Sequence, residues 1–263
     1  MQSNLTTRVP VIRIRGDSVK QDHDKVVSEV PVTVFLNNQE FVTMVCSPFA
    51  IDALVAGFLL VEGIVENRED LVNIKVLPGE GLVWVETAQS RPAESLFLKR
   101  CLASCCGRGR STFYFMNDAG LKPVDSGFTV TSVQIKVLNE RRESLGSVFK
   151  STGGTHGAGL CTAQEILYFH EDIGRHNAVD KALGSAFLEG ISFNDKAVIL
   201  SGRISSEMIV KVARAGIPLI ISRSAPTGLA LNMAESLNIT TVGFVRQDRL
   251  NIYTHPERIV IDN

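Results

Sequence analysis

Apolar and polar residues alternate from Val30 to Phe35 and again from Phe41 to Val45, with Asn37-Asn38 between the two runs. A period of two predicts half-buried strands, and paired asparagines, which tolerate positive φ, predict a two-residue hairpin turn. The period then changes to a helical one. Ile51, Leu54, Val55, Phe58 and Leu59 recur behind Ser47-Pro48, which predicts a helix capped by Ser47 with Pro48 in its first position. Gly57 and Gly63 weaken that helix and point to close packing against a neighbour. Two more strands, Asn73–Leu77 and Leu82–Thr87, flank the turn Pro78-Gly79-Glu80-Gly81. A short strand is predicted over Ser111–Phe115. An amphipathic helix is predicted from Thr131 to Lys150, its apolar side formed by Val133, Val137, Leu145 and Val148.

Beyond residue 151 the pattern becomes a regular alternation. Glu165–Phe169, Lys196–Leu200, Ile217–Ile221, Thr240–Val245 and Leu250–Tyr253 read as strands. Helices are predicted over Asn177–Leu188, from Ser205 onward, and from Pro226 to about Leu237. Continuous apolar strands between amphipathic helices imply an α/β sheet covered on both faces. The chain therefore divides into a β-rich N-terminal part, 1–150, and an α/β part, 151–263.

Composition narrows the class. The chain has 263 residues, a formal net charge of −1 and 44% hydrophobic residues, so no global basic field draws it to nucleic acid. No apolar run reaches the ~18 residues of a membrane span, and the first residues lack a signal-peptide core. The five cysteines are odd in number and three fall together, which does not suit a disulfide framework. A reducing cytoplasm is the expected compartment.

Those three cysteines lie in the segment RCLASCCGRGR, 100–110. Arg100, Arg108 and Arg110 beside Cys101, Cys105 and Cys106 favour the thiolate, the nucleophilic form of sulfur, and Gly107 and Gly109 permit an exposed loop. Buried thiols beside solvated arginines are the plainer alternative. Metal ligation lacks its spacing, because Cys105 and Cys106 are adjacent and no CxxC knuckle exists.

Elsewhere, polar residues collect where strands lead into helices, the place ligands bind in α/β sheets. The three junctions hold Arg175, His176 and Asn177; Ser201, Gly202 and Arg203; and Ser222, Ser224 and Thr227. Helix N-termini there suit phosphates, although Ser and Thr also serve as plain caps. The glycine-rich stretch around His156 reads as a turn whose amides could cradle an anion. Phe244, Val245, Arg246, Gln247, Asp248 and Arg249 form either a salt-bridged loop or a clamp for a phosphate and a purine edge.

Several segments together resemble one family. PVTVFLNNQE and GFLLVEGI near the start, TGGTHGA at 152–158, EDIGRHNAVDK at 171–181, SGRISSEMIVKVARAGIP at 201–218, SAPTGLAL at 224–231 and NIYTHPERI at 251–259 are similar to the formate dehydrogenase accessory sulfurtransferases, the FdhD/NarQ family. The resemblance implies a cytidine-deaminase-like three-layer α/β/α domain at the C-terminus and a homodimer. It implies a sulfurtransferase that takes persulfide sulfur from a cysteine desulfurase. The sulfur passes to the molybdenum bis(molybdopterin guanine dinucleotide) cofactor that formate dehydrogenase needs, bound as acceptor substrate. It also marks residues 244–249 as cofactor-binding. Many members carry Cys-Gly-x-Cys-Gly in the reactive loop. Here the Cys-Gly pair falls on Cys106-Gly107 and the second cysteine position on Gly109, so Cys106 is the expected carrier, with Cys105 the candidate helper. A chaperone that binds and delivers the cofactor, its cysteines merely structural, is the second reading.

Overall fold

The computed structural model describes residues 5–77, 79–88, 100–102 and 120–261. Strands β1 (Thr6–Arg15) and β2 (Ser18–Val27) form a separate antiparallel ribbon. The predicted hairpin follows as β3 (Val30–Leu36) and β4 (Gln39–Cys46), with Asn37 and Asn38 at φ 48° and 68°. Positive φ at both turn residues matches the twist of the flanking strands, which is why asparagine stands there. With β5 (Leu71–Leu77), β6 (Leu82–Thr87) and β7 (Arg100–Leu102) these make a five-stranded sheet in the order β5-β6-β3-β4-β7. Val32, Val34 and Leu36 of β3 join Val83 and Val85 of β6 in a core closed by α1 (Ile51–Val61).

That helix does not begin at the Ser-Pro pair. Its N-cap is Ala50, at φ 48° and without a side-chain cap bond. Ser47 bonds instead to the distant half of the chain. Its N–H donates to Asp172, its hydroxyl accepts from the Ile173 N–H, and its carbonyl accepts from Lys181. A cap is worth ~1 kcal/mol, and three bonds inside a buried charged cluster outweigh it.

The second sheet holds β9 (His156–Cys161), β10 (Ile166–Asp172), β11 (Ala197–Leu200), β12 (Leu219–Ser222), β13 (Thr240–Gly243) and β14 (Asn251–Thr254), in the order β10-β9-β11-β12-β13-β14. β11, β12 and β13 are parallel, and the outer pairings are antiparallel. Among the described residues five further helices accompany it: α2 (Ser132–Leu145), α3 (Ser147–Thr152), α4 (Arg175–Leu188), α5 (Ser206–Arg214) and α6 (Gly228–Ser236). Val198, Leu200 and Ile220 face α4, α5 and α6, whereas Ile199, Leu219 and Ile221 face Ile135 and Leu138 of α2. Both faces are covered, so β11 is apolar throughout and β12 is apolar up to Ser222, as their sequences require. Beside α2, β8 (Val130–Thr131) pairs with β15 (Ile259–Val260). None of the described helices is long and apolar enough to cross a membrane.

Two expectations are corrected here. The helix predicted over 131–150 is broken at Gly146 into α2 and α3, and its buried side is Ile135, Leu138, Asn139 and Arg142, with Val133 and Val137 outside. Polar contacts of Asn139 and Arg142, described below, decide which face turns inward. The glycine cluster is not an open turn. Gly153, at φ 67°, ends α3, while Gly157 and Gly159 lie within β9. A Cβ on Gly157 would meet the Phe169 ring at 2.7 Å, and one on Gly159 the Tyr168 carbonyl oxygen at 2.8 Å. These glycines serve a crowded strand.

The two cores meet where α1 crosses α4. A Cβ on Gly57 would lie 1.9 Å from the Asp180 carbonyl oxygen, and one on Gly184 would lie 1.8 Å from that of Ala53. Gly57 thus does what its place in an apolar helix predicts. Gly63 does not share that role: at φ 71° it ends the helix.

Candidate functional site

The parallel strands β11, β12 and β13 end at one rim of the second sheet, and antiparallel pairing brings the start of β9 and the end of β10 to the same rim. Ser201 shows the stitching: its N–H donates to the Gly157 carbonyl, and its hydroxyl accepts from the Gly157 N–H at 3.1 Å. His156 and Arg175 therefore flank Gly202. A Cβ at Gly202 would lie 3.3 Å from Arg175 Cδ and 3.6 Å from His156 Nδ1, so a larger residue there would press on both side chains. Next along α4, His176 Nε2 is 2.9 Å from Glu207 Oε2 on α5. Arg203 projects into solvent.

The β12 and β13 loops continue the rim. Ser224 accepts at its carbonyl from the Phe244 N–H, and Ser222 accepts likewise from Val245. Phe244 is exposed and held at φ 52°, an unusual conformation for a bulky side chain. Arg246 donates to the carbonyls of Arg223 (2.6 Å) and Val245 (2.8 Å), and its N–H to that of Arg249. Gln247, Asp248 and Arg249 are exposed at the turn. The rim is completed from α2, which composition and spacing gave no reason to include. Arg142 and Arg223 both meet Glu143, at 3.2 and 3.1 Å, and Asn139 donates to the Val245 carbonyl.

The structure thus gathers His156, Arg175, His176, Gly202, Arg203, Ser224, Phe244, Arg246, Gln247, Asp248 and Arg249 along one edge. Other predicted site residues have their side chains engaged inside the fold. Val245 is fully buried in the core. Ser222 donates to the Gly202 carbonyl at 2.6 Å and accepts from the Ser224 N–H, and Thr227 accepts from the Ala230 N–H as the cap of α6. Asn177 donates to Asp172 and to the Val45 carbonyl.

Asp172 is the node beneath the rim. Fully buried, it accepts from Ser47, Gly174, Asn177 and Lys181, the last at 2.6 Å. Four donors satisfy the carboxylate and fix the first turn of α4, which carries Arg175 and His176. A second buried pair, Lys211 to Asp180 at 2.6 Å, ties α5 to α4.

Cations dominate this edge, with Arg142, Arg175, Arg203, Arg223, Arg246 and Arg249 against Glu143, Glu207 and Asp248. Burial, then the neighbouring Arg175 and His176, hold His156 below the usual histidine range. Burial lowers His176 too, against the opposing pull of Glu207. Both imidazoles are neutral at neutral pH, so they offer hydrogen bonds while the guanidiniums supply charge. This is chemistry for a phosphorylated, hydrogen-bonding ligand. Among the described residues no three of His, Cys, Asp and Glu group as metal ligands.

Cys105 and Cys106 lie outside the described residues, as does the strand predicted over Ser111–Phe115. The strand that precedes the cysteines is described. β7 runs parallel to β4, pairing Arg100 with Val42, Cys101 with Thr43 and Leu102 with Met44. It therefore points to the end of β4, where Val45 and Ser47 join Asn177, Asp172 and Lys181 at the base of the rim. Cys46 and Cys161 are of another kind: burial pushes both thiols up to about 12, so neither is a ready nucleophile.

Known proteins are similar to this chain. The family model described as FdhD/NarQ family matches residues 27–260. The sulfur carrier protein FdhD of Listeria innocua is 44% identical over 259 residues, 97% of this chain and 99% of that one. Its counterpart in Bacillus subtilis is 41% identical over 261 residues, 98% and 99% of the two chains. A crystal structure from Desulfotalea psychrophila, described as a formate dehydrogenase accessory protein, superposes with a TM-score of 0.80 at 28% identity, covering 98% of this chain and all of that one.

Proposed function

The chain belongs to the FdhD/NarQ family of sulfur carrier proteins, and we propose on that premise that Cys106 carries a persulfide between a cysteine desulfurase and the molybdenum bis(molybdopterin guanine dinucleotide) cofactor of formate dehydrogenase. The observation that carries the reading is the course of β7. It ends at Leu102, beside the base of the arginine-lined rim, and Cys106 follows four residues later, within ~14 Å of Leu102 by chain length. The reading requires Cys106 to meet an anionic acceptor on the rim, and the position of the β7 end and the short chain between them support it.

In the loading step the Cys106 thiolate attacks the terminal sulfur of the donor persulfide. A sulfur–sulfur bond forms at Cys106, and the donor's own cysteine leaves as a thiolate. Arg108 and Arg110 favour the attacking thiolate. The acceptor is a substrate, and its guanine dinucleotide arms bring phosphates and purines. Arg175, Arg203 and Arg246 would take the phosphates, with His156 and His176 as neutral hydrogen-bonding partners, and exposed Phe244 offers a flat surface to a base. The proposal includes a homodimer, a cytoplasmic setting, a β-rich 1–150 part bearing the loop, and a cytidine-deaminase-like 151–263 part.

The test is sulfur loading. Incubated with a cysteine desulfurase and cysteine, the protein should gain one sulfur atom by intact-protein mass spectrometry, Cys105→Ala should still gain it, and Cys106→Ala should not. Loading that persists in Cys106→Ala and vanishes in Cys105→Ala overturns the assignment. Restoration of formate dehydrogenase activity in cells by a variant lacking both cysteines would favour a cofactor-delivering chaperone.

A further inference from the structure

The β1–β2 ribbon stands apart from both cores. Its register puts Pro10, Ile12, Ile14, Val19, Gln21 and His23 on one face. Ile12, Ile14 and Val19 are 63%, 70% and 68% exposed. The opposite face is finished differently: Val9 and Val11 are half-buried there, and the Arg13 guanidinium spans Asp22 at 3.2 Å and Asp24 at 3.1 Å. One face is closed by ion pairs; the other carries an exposed aliphatic patch at its tip, Ile12, Ile14 and Val19, with the polar Gln21, His23, Arg8 and Lys25 behind it. The base of the ribbon is anchored where Val27 meets Gly154, at which a Cβ would come within 2.8 Å of Val27 Cγ1. A two-stranded ribbon with nothing on its apolar patch is marginal in water, and an exposed aliphatic patch marks an association site. Pro10 removes one donor from β1, which disfavours edge pairing and leaves the face as the means of contact.

The same chain carries a receiving surface. Leu5, the residue before β1, lines a cleft of about 170 Å³ together with Phe49, Leu145, Val148 and Phe169. Phe49 and Leu145 are exposed within it. Arm and cleft thus sit at opposite ends of one ribbon, its tip and its root. Two copies related by a twofold axis, with their arms antiparallel, bring each tip to the other's root, so both contacts form at once.

Area favours that arrangement over a single-sided partner. Ten residues at ~3.4 Å make an arm about 34 Å long, and two strands make it about 10 Å wide, so one face covers roughly 340 Å². Docked once, that is well under the ~800 Å² per partner of a stable specific interface. Exchanged reciprocally, each chain buries one arm face and one receiving face, about 700 Å². We propose that the β1–β2 ribbon is a dimerisation arm, its Ile12–Ile14–Val19 face seated in the Phe49–Leu145–Val148 cleft of a second copy, and reciprocally. This deepens the dimer named under the proposed function and is independent of sulfur transfer.

Light scattering coupled to gel filtration of the full chain tests it. The unaltered protein should run at twice the chain mass. The pair Ile12→Asp with Ile14→Asp, and separately Leu145→Asp, should each run at the single-chain mass with an unchanged far-ultraviolet circular dichroism spectrum. Val72→Asp, at an exposed apolar position on β5, should remain dimeric. Hydrogen exchange of the unaltered protein gives a reading without variants: amides of residues 8–19 should lose protection on dilution. An unaltered protein at single-chain mass overturns the dimer altogether. A dimer that survives the arm or the cleft substitutions, or protection indifferent to dilution, overturns the arm and leaves the dimer standing. Sulfur loading of Cys106, scored separately, bears on neither result.

Discussion

Lys181 holds its ammonium 2.6 Å from Asp172 with neither side chain exposed. Replacing it with methionine keeps much of the packing but leaves a carboxylate buried with neutral donors only. Breaking one partner of such a pair costs about 3–5 kcal/mol, so Lys181→Met should lower the unfolding free energy obtained from denaturant titration by that much, and adding Asp172→Asn should recover part of it. Each residue stands in a recognisable junction motif, yet nothing local pairs them, because their shared partner Ser47 is far away in sequence. His170 makes a second residue-scale prediction. Burial, reinforced by the nearby Lys181, depresses it to about 4, while its ring accepts or donates one bond to Ser185 at 2.8 Å. A histidine depressed in the folded state takes up its proton more readily when unfolded. Its stabilising contribution is complete above ~6.5 and is lost as pH falls from there to about 4, on the order of 3 kcal/mol. Urea midpoints measured across that window should fall less steeply in His170→Gln.

At the level of elements, local patterning works where one face of an element alone decides burial. The Asn37-Asn38 hairpin and the apolar strands of the second sheet follow from period and turn chemistry. It works less well where contacts across the molecule compete. Ser47-Pro48 has the signature of a helix start, but Ser47 is taken by Asp172 and Lys181, and α1 begins later, behind Ala50. β9 is hidden in sequence because its glycines look like turn residues, and only the Phe169 ring and Tyr168 carbonyl beside them explain their small size. Gly57 gives the element-scale test. Added at the α1–α4 crossing, a methyl group 1.9 Å from the Asp180 carbonyl oxygen forces the helices apart. Gly57→Ala should therefore destabilise by at least the ~1–3 kcal/mol typical of overpacking, and Gly184→Ala similarly, as seen in thermal unfolding. Gly153→Ala meets nothing within 4 Å and should cost only its positive-φ strain, less than either.

Across the whole molecule, a net charge of −1 conceals a rim rich in arginine, so an anionic ligand is drawn to one edge rather than to the surface at large. If the rim binds the nucleotide arms of the acceptor, guanosine diphosphate should bind by calorimetry. Arg175→Ala and Arg246→Ala should each weaken it about tenfold or more, the loss of one charge-assisted hydrogen bond, and added salt should weaken the unaltered protein too. The candidate residues of the strand-to-helix junctions were legible because ends of parallel strands collect at one edge in any such sheet. Arg142, Glu143 and Asn139 were not, since they reach the rim through α2, whose long-range contact with the Val245 carbonyl leaves no local trace. By itself the sequence determined the hairpin, most strands and helices of the second sheet, the two regions of different pattern and the family. Those properties rest on periodicity and on residue chemistry within a few positions. Only the tertiary structure decided that β7 runs toward the Asp172–Lys181 node, that Arg175 and His156 both lie against Gly202, and that Val245 and Ser222 turn inward. It also left one face of the β1–β2 ribbon uncovered. Each of these depends on which strand lies beside which, and strand order is set by burying two cores at once rather than by any single stretch of chain.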